Sequence, residues 1–327
     1  MSLVPAIYRS SDTSAPALSA LTGALVTILD AVLVNGYGSQ PGLGWTIEDS
    51  GTNWRVYRHN PITGTGMYLH VDDSGSGAGA GREAIVRGYQ QWDDVTHTGT
   101  LPFPTSAQLA GGIVWKKSAT SDATARPWMV IGNERCIYLF TDGNSGKRQV
   151  FFAGDITPFK SGDARHYLVS GGLTQDVSMG VNISTTLLVG IPVYNFNLGL
   201  TNGYFAGNAA SSANSVVAKD QDAPQFTSAL SGYCFGTSQH VNRPYPGVVS
   251  GGLDVARIHL FENMHAERGF WPGLYQPLHS FPFSDMAQLP GAGPGNVDVL
   301  AVSYRRAYSG NVPNDDGQLI FELGVEW

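Results

Sequence analysis

The sequence predicts a mainly β fold with one N-terminal amphipathic helix, of the α+β class. Antiparallel meanders form a sandwich or barrel-like core, and long irregular loops join them. Three observations carry this reading: a two-residue hydrophobic period, its recurrence in two similar units, and a turn-rich composition. From Trp54 to Gly88 the chain reads as Trp54-Arg55-Val56-Tyr57, a turn, Tyr68-Leu69-His70-Val71-Asp72, a Gly-rich turn, then Ala84-Ile85-Val86. Met67, Leu69 and Val71 share one face of an extended chain, and Tyr68, His70 and Asp72 share the other. Trp128-Met129-Val130-Ile131, Tyr138-Leu139-Phe140-Thr141-Asp142 and Val150-Phe151-Phe152 repeat the pattern up to Gly154. Each unit reads as a three-strand meander, and Ile258 to Asn263 is a weaker echo.

The single helix is expected over Pro16 to Val34. Leu18, Leu21, Leu25, Ile28, Leu29 and Val32 form its apolar stripe, opposite Ser19, Gly23, Thr27 and Asp30. Ser14 suits its start and Gly36 its C′ position, and such a helix would be roughly 28 Å long. Residues 1–38 therefore read as an arm and a helix packed on the sheet. Residues 39–172 are the β-meander region. Residues 173–256 hold few charges and much Ser, Asn and Gly, and read as an irregular interface region. Residues 257–327 complete the β fold, with a buried strand over Val297–Tyr304 and an alternating strand from Leu319 to Trp327.

Among 327 residues, 41 are Gly and 18 are Pro, and only 14% are charged. Charge depletion of this degree suits surfaces that partners cover. The net charge of −7 gives no attraction to nucleic acid. The apolar stretch Ala17–Val34 is broken by Thr22, Gly23, Thr27 and Asp30, so no membrane span is expected, and no signal peptide is visible. Cys136 and Cys234 stand far apart and outside any CxxC pattern.

No catalytic, cofactor-binding or metal-binding residue is assigned, and no cofactor is expected. Neither a G-x-S-x-G elbow nor a phosphate-binding loop is present, and Gly75–Gly81 reads as a hairpin loop. Asp49-Ser-Gly-Thr-Asn-Trp54 is similar to the Asp-box turn of sialidase-like propellers, without its repetition at blade spacing. His259, Glu262 and His265 lack zinc-protease spacing. Asp72-Asp73 reads as a backbone-serving turn, and Lys116-Lys117 as a solvated strand edge. The aromatics placed to meet a glycan or a subunit interface are Trp54, Tyr57, Tyr68, Trp92, Tyr138 and Trp271.

Several strings together resemble a family of virion structural proteins of tailed bacteriophages and prophages. They are Ser2-Leu-Val-Pro-Ala-Ile-Tyr-Arg-Ser-Ser-Asp12, Leu29-Asp30-Ala-Val-Leu33, Gly44-Trp45-Thr46, Tyr68-Leu-His-Val-Asp-Asp73, Ala125-Arg126-Pro127-Trp128 and Pro272-Gly-Leu-Tyr275. The resemblance implies a non-enzymatic component of the tail, neck or baseplate. It would be made in the host cytoplasm, assemble as a homo-oligomeric ring and contact other virion proteins. A receptor- or glycan-binding tail appendage is the alternative, and a polysaccharide hydrolase stands third.

Overall fold

A computed structural model describes residues 3–171 apart from 78, 108 and 143–147, strand segments 203–205 and 213–217, and residues 245–327 apart from 248–249, 263–265, 278, 280–282 and 306–315. The chain opens with β1 (Ala6–Arg9) and α1 (Ala24–Leu29), which runs on as a π-helical turn over Asp30–Asn35. Six strands follow: β2 (Thr46–Gly51), β3 (Trp54–Arg58), β4 (Tyr68–Asp72), β5 (Glu83–Asp93), β6 (Thr98–Phe103) and β7 (Ile113–Lys116). Next come β8 (Trp128–Gly132), β9 (Cys136–Asp142), β10 (Arg148–Asp155), β11 (Thr157–Pro158), β12 (Tyr167–Ser170), β13 (Gly203–Phe205) and β14 (Ala213–Val217). The last are β15 (Val255–Glu262), β16 (Ala266–Pro277), β17 (Gln288–Leu289), β18 (Asp298–Arg305) and β19 (Asp316–Leu323).

Two antiparallel sheets result. The smaller runs β2-β3-β4-β5-β6, with β7 beside the first half of β5. The larger runs from β1 and β8 through β12 to β17. Both sequence units are three-strand meanders: β3-β4-β5 in the small sheet and β8-β9-β10 in the large one. The second meander is buried on both faces. Ile137 and Leu139 of β9 join a core with Tyr57, Leu69, Val71 and Val86 of the small sheet. Cys136, Tyr138 and Phe140 of the same strand join a second core with Leu260, Trp271, Leu300 and Phe321. Among the described residues, the C-terminal strands of the large sheet thus share a core with its own middle strands. This is the mainly β, sandwich-like architecture that the alternating pattern predicts.

The helix is shorter than the sequence predicts. Six α-helical residues span roughly 9 Å, and the segment before them is not helical. Its backbone groups are claimed elsewhere. Leu18 forms a β-bridge with Arg126, the Ala20 amide donates to Asp122, and the Leu21 carbonyl accepts from Lys117 Nζ. Gly23 then takes a left-handed turn at φ 81°, which strongly favours glycine. The expected stripe survives in Leu25, Ile28, Leu29 and Val32, all fully buried, whereas Leu21 is 55% exposed.

A distant carboxylate caps this helix. Asp73 Oδ2 accepts from the Leu25 amide at 2.7 Å, and its other oxygen binds Lys117 Nζ. Both side chains are fully buried, so Lys117 is no solvated edge residue. Its stem is drawn inward because strand β7 ends where the helix start offers a carboxylate and a carbonyl. Burial raises the Asp73 pKa and lowers that of Lys117, each opposed by the attraction between the pair. Asp72 serves its own turn, accepting from the Ser74 amide and the Ser76 hydroxyl.

The N-terminal segment holds the first strand: β1 pairs with β8, and Leu3 O accepts from Asn133 Nδ2 and from the Trp327 amide. Arg257 to Phe270 falls on strands β15 and β16. The 173–256 region lies outside the described residues except for β13, β14 and the segment from Tyr245 onward.

Removing one partner of the buried pair leaves the other charge without compensation. Lys117→Met should therefore lower unfolding free energy by about 3–5 kcal/mol in urea denaturation. The double variant Asp73→Leu/Lys117→Met should recover much of that loss. A single variant as stable as the parent would contradict the assignment.

Candidate functional site

The face of the small sheet turned away from the core carries a continuous set of rings. Strand register builds it. Asp49, Val56, His70 and Arg87 lie in one cross-strand row, with Trp54-Asp72-Ile85 and Arg58-Tyr68-Tyr89 on either side. His70 occupies the centre. Trp92 stacks on it at 5.5 Å with planes 14° apart, Trp54 lies tilted at 5.7 Å, and Tyr89 meets it edge-on at 6.4 Å. His97 closes on Trp54 at 5.7 Å, and Arg58 sits 4.9 Å over the Tyr68 ring. Offset and edge-on arrangements of this kind favour rigid aromatic clusters.

Asp49 fastens this face. The long β5–β6 hairpin curls back so that Trp92 Nε1 and His97 Nδ1 both reach Asp49 Oδ2, each at 2.8 Å. Asp49 Oδ1 accepts from the Ser50 amide at 2.8 Å. Burial alone would raise this carboxyl, but the donors from His97, Trp92 and Ser50 hold it below the usual range. The Asp-box-like string is therefore the β2–β3 hairpin turn with Asn53 at φ 60°, and its aspartate serves the neighbouring hairpin.

Of the aromatics predicted to be outward, Trp54, Tyr68 and Trp92 belong to this face. Tyr57, Tyr138 and Trp271 do not, being 0%, 0% and 2% exposed. Tyr57 points inward with Leu69 and donates to Asp30 Oδ1 at 2.7 Å. Tyr138 donates to Pro272 O at 2.9 Å, and Trp271 packs edge-on to Phe152. Both faces of their strands or the core side of the small sheet claim them, which alternation alone does not reveal. The sequence marks Asp49 only as part of the Asp-box-like turn and His70 only as a neighbour of Tyr68 and Asp72, and it does not mark Tyr89 or His97. The period of two places His70 beside Tyr68, but the curl that brings in His97 has no local signal.

A second polar cluster sits where the loop after β3 meets the end of β10. His59 is fully buried, with Nε2 3.1 Å from Thr65 Oγ1 and 3.5 Å from Asp155 Oδ1. Thr65 donates to Asp155 through both its hydroxyl, at 2.5 Å, and its amide, at 2.9 Å. His166 Nε2 stands 3.7 Å from Asp155 Oδ2. His59 Nδ1 is buried with no partner. Burial lowers the His59 pKa to about 4, against the pull of Asp155 and with smaller contributions from His166, Arg58 and Arg135.

His259 pairs with Glu267 at 2.6 Å across β15 and β16, while His265 lies outside the described residues. Among the described residues no three metal-ligating side chains converge. Cys136 is a buried free thiol whose pKa burial raises, and Cys234 lies outside the described residues. No helix among the described residues is long and apolar enough to cross a membrane. No protein-family model matches the chain, and no curated protein sequence matches it.

Two outcomes follow from these clusters. Asp49→Ala should leave the β5–β6 hairpin without its anchor and speed amide exchange across residues 91–103 by about tenfold. Because Asp49 is held below its ordinary pKa, its contribution is present above about pH 4 and lost as pH falls further. Unchanged exchange would remove the latch. His59 acts in a higher window. An unfolded histidine takes its proton below about pH 6.5, whereas the folded one stays neutral to about 4. Stability should thus fall by about 1.4 kcal/mol per pH unit between those values, and His59→Gln should flatten that slope in urea titrations.

Proposed function

We propose that the chain is a non-enzymatic structural subunit of a tailed-phage particle, of tail, neck or baseplate, that assembles as a symmetric homo-oligomer. The observation that carries this reading is the ring-covered outer face of the small sheet, whose Trp54, Tyr68, Tyr89 and Trp92 are half-buried and join none of the hydrophobic cores of the described residues. Its other face and both faces of the β8–β9–β10 meander are buried in cores. Trp, Tyr and Arg dominate the ring-covered face, and these residue types are enriched at interface centres. Single large apolar residues stand out at loops and turns as well, with Ile62 90%, Val95 83% and Phe159 67% exposed. Several carboxylates hold the fold together: Asp73 caps the helix start, Asp155 accepts from Thr65, and the half-buried Asp49 fastens the β5–β6 hairpin.

Identical copies around a closed axis need only self-complementary patches. Sedimentation analysis should give a mass that is a multiple of 34.8 kDa. Trp54→Ala/Tyr68→Ala should return it to a single chain with an unaltered circular dichroism spectrum. A parent protein that stays at one chain mass over a hundredfold concentration range would contradict self-association.

A further inference from the structure

Two cavities adjoin at Trp327, on the far side of the molecule's central meander from the ring-covered face. One, of about 230 Å³, is lined by Arg135, Asp155, His166 and Trp327. The other, of about 150 Å³, is lined by Arg257, Tyr275, Glu322, Glu326 and Trp327. Thr157 belongs to both, so the indole and this threonine form their shared wall.

The indole is held from several sides. Gly273, at φ 59°, lies so close that a Cβ there would stand 2.1 Å from Trp327 Nε1. Tyr138 meets the ring edge-on at 5.8 Å, Nε1 donates to Glu322 O at 3.2 Å, and Arg135 Nη2 holds the Trp327 carbonyl at 2.5 Å. A ring fixed in this way loses little freedom when something packs on it.

The polar groups around it are charged in both signs on each side. Arg135 has a buried Nε without a partner, and Asp155 and His166 share its cavity. Arg257 lies over Phe270 and Tyr275, at 5.2 and 5.8 Å, and faces the cavity that Glu322 and Glu326 also line.

We infer that these paired cavities are a binding site for a short neutral oligosaccharide, with Trp327 as the platform between two sugar units. A pyranose offers an apolar C–H face to an aromatic ring and vicinal hydroxyls that both donate and accept. Planar guanidinium and carboxylate groups can each take two such hydroxyls. Mixed charge in both cavities selects against a strongly charged ligand. The carboxylates and the net charge of −7 oppose nucleic acid. This site is separate from the self-association face and stands whether or not that face is an interface.

The test is an array of short neutral bacterial oligosaccharides set against acidic ones of the same length, followed by calorimetric titration with the tightest neutral ligand. At least one neutral oligosaccharide should be retained in preference to the acidic ones. Trp327→Ala and Arg257→Ala should each weaken it by about tenfold or more, and Trp54→Ala should leave it unchanged. Should Trp327→Ala fail to fold, Arg257→Ala, an exposed rim residue, decides alone. Retention of no neutral oligosaccharide in preference to the acidic ones would overturn the inference. So would affinity that ignores Arg257→Ala, or that is lost instead in Trp54→Ala.

Discussion

Everything in this fold leans on a strand that water does not reach from either side. From Cys136 to Thr141 each residue of β9 is buried. Odd positions Ile137 and Leu139 serve the core beneath the small sheet, and even positions Tyr138 and Phe140 serve the core beneath the C-terminal strands. A strand covered on both faces reads as a continuous apolar run. It ties two otherwise distinct layers to one another, so the small sheet's outer face and the Trp327 cavities are both positioned by the same meander. Tyr138 shows this directly: its ring touches Phe152, Trp271, Phe321 and Trp327, and its hydroxyl reaches Pro272 O.

Polar chemistry in this protein is largely tertiary cement. Asp73 caps a helix forty-eight residues away in sequence, through the Leu25 amide. Asp155 holds a loop from the other sheet through Thr65, ninety residues away. Buried polar groups are costly unless satisfied, so each such carboxylate also fixes where its partner loop can sit. Among the described residues, the scaffold presents a ring-covered sheet face, apolar loop tips, and a pair of cavities around one indole.

Much of the strand framework was legible in the sequence. Alternation in Met67–Asp72 and the echo in Tyr138–Asp142 gave both meanders, because a half-buried strand writes its period into its residues. The same period places Tyr57 and Tyr138 outward, although both are buried, since it separates faces but does not say which face is covered. The helix was overextended for a related reason. Leu18 and Leu21 continue the helical stripe, yet tertiary partners at Arg126, Asp122 and Lys117 claim the backbone there. The Asp49 latch and the Trp327 cavities had no local signal. Both arise where segments far apart in sequence converge.

We propose that this chain is one of many identical copies in a tailed particle, joined through the outer face of its small sheet. An electron cryomicroscopy reconstruction of a tailed-phage particle carrying this chain tests it most directly. Copies should be related by the tail axis, with Trp54, Tyr68 and Trp92 buried between neighbours. A particle lacking the chain, or one in which that face is open to solvent in every copy, would contradict it.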